Sequence, residues 1–126
     1  MTQLPQLTGE LSADEISAYQ LQADQLSAKY GAKVTPVVFI TPVTGNRVAA
    51  YLKEPSYMIK IRIMDKAAST GMYSANDEMR EICTLKEESD SITYGESPEC
   101  DEYKLALTDA CIKFMRRASD QWNKKK

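Results

Sequence analysis

Apolar residues recur at helical spacing early in the chain. Ile16, Tyr19, Ala23, Leu26 and Tyr30 follow one another by steps of three or four, which places them on one stripe of a helix. Ser12-Ala13-Asp14-Glu15, immediately upstream, has the form of a capping box, in which serine and glutamate satisfy each other's backbone donors. Gly31 supplies the left-handed residue that ends such a helix. Gln20, Gln22, Asp24 and Ser27 are expected on the wet side.

The pattern then changes period. Lys33 to Thr41 is rich in β-branched and aromatic residues, with Pro36 suggesting an edge strand. Thr44-Gly45-Asn46 has turn chemistry, with positive φ open to Gly45 and Asn46. Arg47 to Lys53 alternates, Val48, Ala50 and Leu52 sharing a face. A lone hairpin is marginal, so helices are expected to cover one of its faces.

Residues 57–70 carry two patterns at once. Ile59, Ile61 and Ile63 alternate with Lys60 and Arg62 as in a strand, while Tyr57, Ile61, Met64 and Ala68 lie at helical spacing. Length, Ser56 as cap and Gly71 as stop favour the helix. Ser74 is expected to cap a third helix carrying Met79, Ile82 and Cys83, with Asp77, Glu78 and Glu81 outward. After an acidic loop at Glu87-Glu88-Ser89-Asp90, Ser97-Pro98-Glu99 opens a last helix. Its stripe is Tyr103, Leu107, Ala110, Phe114 and Ala118, widened by Cys111, Met115 and Trp122. The expected fold is α+β: an N-terminal helix, a two-stranded β-hairpin, then three helices packed on it. One domain over 11–119 sits between an irregular lead, 1–10, and a basic tail, 120–126.

Composition fits this picture. The 126 residues, 43% hydrophobic and 27% charged, suit one globular domain with its own core. The start of the chain has neither the basic region nor the apolar stretch of a signal peptide, and apolar runs such as Val37–Ile40 are far shorter than the ~20 residues that span a bilayer. A cytoplasmic protein without a membrane partner is expected.

The chain contains no histidine. That removes the usual general base, the commonest metal ligand and every Ser/His or Cys/His nucleophile pairing. The three cysteines, Cys83, Cys100 and Cys111, are an odd number without a CxxC pair and read as small buried hydrophobes. The five glycines stand singly, so no phosphate loop is present. An EF-hand register from Asp90 puts Ile92 and Tyr94 where oxygen ligands belong. No enzyme activity, cofactor or metal is therefore expected.

Charge is segregated. Residues 77–103 hold ten acidic and two basic side chains, whereas residues 104–126 hold seven basic and two acidic ones. The acidic stretch repels phosphate, and the basic end is short, so nucleic acid is not an expected partner. Seven tyrosines and six methionines supply the adaptable apolar contacts common at protein interfaces. A protein partner or self-association is expected instead. The expected binding residues are Tyr103, Leu107, Phe114, Met115 and Trp122, with simple packing of the helix end as the alternative for Trp122.

The order of elements resembles the tail assembly chaperones of tailed bacteriophages and prophages. The resemblance rests on Tyr30-Gly31-Ala32-Lys33-Val34, on Leu52-Lys53-Glu54-Pro55, and on a cysteine, acidic loop and helix running from Cys83 to Leu107. It covers residues 10–118 and leaves out Trp122 and the terminal lysines. It implies a non-enzymatic protein in the host cytoplasm that keeps a tape measure protein, or another tail protein, soluble before the tail tube forms. A virion structural subunit, such as a connector, tube-associated or decoration protein, is the alternative. A small DNA-binding regulator is a third.

Overall fold

The computed structural model describes residues 11–41 and 45–124, and the side chains of the last helix up to Lys113 together with Met115. The order is α1 (Ala13–Tyr30), β1 (Val34–Ile40), β2 (Arg47–Lys53), α2 (Tyr57–Thr70), α3 (Met72–Cys83) and α4 (Asp101–Lys124). This is the expected α+β arrangement, with a helix, an antiparallel hairpin and three further helices.

Helix α1 begins at the capping box read from the sequence. The Glu15 N–H donates to Ser12 Oγ at 3.2 Å, and the Ser12 N–H donates to the Glu15 carboxylate at 3.2 Å. Gly31 ends it at φ 68, in the left-handed region. Ala23 and Leu26 are buried, with Tyr19 and Tyr30 partly so, while Ile16 at the first turn stays largely exposed. Ser27 is half-buried instead of wet. Its hydroxyl donates to the Ala23 carbonyl and accepts from the Val34 N–H, both at 2.9 Å, and so fixes the start of β1.

The hairpin pairs Val34 with Lys53 through Ile40 with Arg47. Gly45 has φ 72 but Asn46 does not have positive φ, and residues 42–44 lie outside the described residues. Because side chains alternate across a strand, each face makes its own layer. Val37, Phe39, Ala50 and Leu52 join Ile63, Met79, Cys83, Tyr103, Leu107 and Cys111 in the main core. Phe39 and Tyr103 meet edge to face, 5.3 Å between centroids and 87° between planes. Val34 and Tyr51, on the opposite face, pack under Ala23 and Leu26 of α1. Helices thus cover both faces of the hairpin, not one, because Tyr51 and Val34 are apolar where a wet face would be polar.

The outer edge of β2 is closed as well. The Leu85 N–H donates to the Tyr51 carbonyl and the Asp90 N–H to the Ala49 carbonyl, each at 2.9 Å. In return, the Tyr51 N–H donates to Ser89 Oγ at 2.9 Å and the Ala49 N–H to Asp90 Oδ2 at 2.7 Å. The acidic segment therefore binds along a strand edge that would otherwise present unpaired backbone.

Residues 57–70 are helical throughout, capped by Ser56 Oγ, which accepts from the Ile59 N–H at 3.4 Å. Gly71, at φ 101, separates α2 from α3. Helix α3 begins directly at Met72, so Ser74 lies inside it and is not its cap. A 3-10 turn at Pro98–Cys100 leads into α4, whose backbone stays helical through residues 120–124, the stretch read from sequence as tail. Among the described residues no helix is long and apolar enough to cross a membrane.

Candidate functional site

Of the five residues expected to bind a partner, the three whose side chains are described lie in or against the main core. Tyr103 is buried against Phe39, and Leu107 is fully buried in the main core. Met115 is half-buried and packs on the same core. The side chains of Phe114 and Trp122 lie outside the described residues. The reason is geometric: this part of the apolar stripe of α4 packs into the core with Ala75, Met79 and Cys83 of α3 and with Phe39 of the hairpin.

Among the described residues, α2 carries the most exposed large apolar side chains. Ile59, Ile63 and Ala67, spaced by four, face the core, Ile63 being fully buried. At about 3.6 residues per turn, Tyr57, Ile61, Met64 and Ala68 fall on the other side of the cylinder. Tyr57 is 75%, Met58 70% and Met64 62% exposed. The sequence shows this stripe at helical spacing but does not say which side of the helix is buried. The strand-like isoleucines were the second signal: two of them, with Ala67, make another helical stripe, so α2 is apolar on two sides. A helix of that kind is ordinarily buried on both.

Together the three exposed side chains present on the order of 400 Å² of apolar surface, within the range of a functional patch on a monomer. The helix that carries them is held firmly. Glu78 of α3 accepts from Lys66 Nζ at 3.0 Å and also from the Arg62 guanidinium, and Glu54 accepts from Lys60 Nζ at 2.8 Å. These cations hold the Glu78 carboxyl below the usual carboxylate range, the Lys66 bond contributing most.

Beside the first turn of α2 lies an open cleft of about 390 Å³. Pro55, Ile59, Ile82 and Cys83 line it with apolar groups, and Lys33 and Lys53 add charge. Its two hydroxyl or thiol groups are poor nucleophiles. Ser56 is engaged as the helix cap, and burial pushes the Cys83 thiol up to about 11. Cys111, deeper in the core, is pushed up to about 12 by the same cause. Among the described residues no three Cys, Asp or Glu side chains gather as a metal site.

On α3, Arg80 is buried with Nε on Asp77 at 2.9 Å and Nη2 on Glu81 at 3.1 Å. Its Nη1 and the neighbouring Asn76 Oδ1 make no hydrogen bond. The sequence placed polar residues here only on the outer side. No family model matches the chain, and neither a curated protein nor a solved structure shows detectable similarity to it.

Proposed function

We propose that this is a non-enzymatic binding protein that holds an apolar helical segment of another protein against the outer face of α2. The carrying observation is the solvent-facing Tyr57, Met58 and Met64, with half-buried Ile61 beside them, on a helix whose opposite side is already anchored in the core. Methionine suits the task, because its unbranched side chain adapts to partners of varied shape. The open area is about half of what one partner contributes to a standard interface, which favours a hold that can be released.

A tail assembly chaperone of tailed phages, keeping the tape measure protein soluble, is the specific form of this reading. It draws support from the sequence resemblance over residues 10–118 and from the exposed apolar helix, since a long helical client offers matching stripes. The test is co-expression with a phage tape measure protein, followed by affinity capture. Wild-type chain is expected to retain the client, and Met64→Lys, with unchanged circular dichroism, to lose it. Equal retention by the variant would sink the α2 assignment. Stoichiometric copies in purified virions would count against a chaperone and favour a structural subunit.

A further inference from the structure

A second surface on the molecule is complementary to the cleft. Leu105 of α4 is 58% exposed, and it sits among carboxylates at one-turn spacing: Asp101 and Glu102 before it, Asp109 after it. Asp101 and Asp109 reach Lys104 and Lys113 only at 3.9 Å and 3.8 Å, long contacts on an exposed helix that exchange partners readily. Glu102 forms no ion pair among the described residues.

The cleft offers the opposite. Its apolar wall includes Ile59, Pro55 and the exposed Ile82, and its volume accommodates a leucine side chain with space for lysine stems alongside. Lys33 and Lys53 also form no ion pair among the described residues, while Glu54 is already neutralised by Lys60. The cleft therefore has two ammonium groups without an ion-pair partner among the described residues, around an apolar floor. The α4 surface has an apolar knob with three carboxylates about it, two of them only loosely held by Lys104 and Lys113.

We propose that these two surfaces bind each other between copies of the chain. Leu105 of one copy enters the cleft of a second, and Asp101, Glu102 and Asp109 meet Lys33 and Lys53 at its rim. The two surfaces share no residue, so every copy offers both. Two copies that reciprocate form a closed pair, and copies that do not reciprocate form an open chain. The outer face of α2 is not consumed, so self-association and client binding are separate events. Rim charges set the strength of such a contact at low salt, and one leucine gives it an apolar centre.

Sedimentation velocity on the full chain, across concentration and at low and high salt, tests this. Wild type is expected to associate reversibly with rising concentration, and less so in high salt. Leu105→Asp is expected to weaken association by at least roughly tenfold. A charge exchange provides the specific control. Lys33→Glu/Lys53→Glu protein and Asp101→Lys/Glu102→Lys protein are each expected to stay monomeric, and their mixture to associate, because mixing restores opposite charge at both contacts. Circular dichroism establishes that each variant is folded. A wild type that stays monomeric throughout, association that survives Leu105→Asp, or a mixture that stays monomeric would each overturn the proposal. So would association that Met64→Lys removes, since that places the contact on α2.

Discussion

Gly95 shows how much a single position can depend on a neighbour distant in pattern. A Cβ added there would stand 2.7 Å from Cys100 Sγ and 3.3 Å from the Ser91 carbonyl oxygen. Cys100 is buried and its sulfur also lies 3.4 Å from Ser97 Oγ, so it has little room to withdraw. Gly95→Ala is expected to cost about 1–3 kcal/mol by overpacking, measured by urea denaturation. Cys100→Ala in the same chain should recover part of that loss, and simple additivity of the two changes would contradict the contact. At this scale the sequence reveals caps but not cross-chain partners. Ser12 and Glu15 were legible because both ends of the capping box lie within four residues. Ser27, Ser89 and Asp90 were not, because their backbone partners are seven to forty-one residues away.

Helix α2 carries the main lesson at the scale of elements. Its existence and both ends were readable from Ser56, Gly71 and its length, yet which of its two apolar stripes is buried was not. Periodicity reports that a face is apolar, and only packing decides which of two apolar faces the core takes. The two faces make opposite predictions. Ile63→Ala should destabilise by about 2–5 kcal/mol through cavity formation, whereas Met64→Ala should stay within about 0.5 kcal/mol of wild type. Chemical denaturation of the two single variants checks this directly, and a larger loss at Met64 would reverse the assignment. The same logic explains α4, where Tyr103 and Leu107 were readable as a stripe but serve the core.

The molecule as a whole is held in three layers, and its outermost one is tied on by charge as well as by packing. Glu15 of α1 accepts from Arg47 Nε of β2 at 2.8 Å, and Lys29 donates to Glu88 of the edge-covering segment at 3.0 Å. The Arg47 hydrogen bond, followed by the Ser12 N–H, holds the Glu15 carboxyl down from 4.5 to about 2. A carboxylate depressed on folding adds stability that is complete above its unfolded value and disappears as pH falls through its folded one. Stability is therefore expected to decline between pH 4.5 and about 2 in part through Glu15. Denaturation midpoints measured across that range should fall less steeply for Glu15→Gln. Parallel wild-type and variant curves would remove Glu15 from the acid response. Part of the segregated acidic charge also finds a use at this scale, since Asp90 helps residues 85–90 close the edge of β2 and Glu88 holds Lys29.

By itself the sequence determined the α+β class, the element order, the first helix with its cap, and the lack of histidine chemistry, because each depends on residue type and near-neighbour spacing. Tertiary structure alone decided that the hairpin is covered on both faces, that the acidic loop completes a strand edge, and that Tyr57, Met58 and Met64 of α2 stand in solvent while Tyr103 and Leu107 of α4 are buried. Those outcomes turn on which surfaces meet across the chain. An apolar residue satisfies the local pattern equally well whether it faces the core or water.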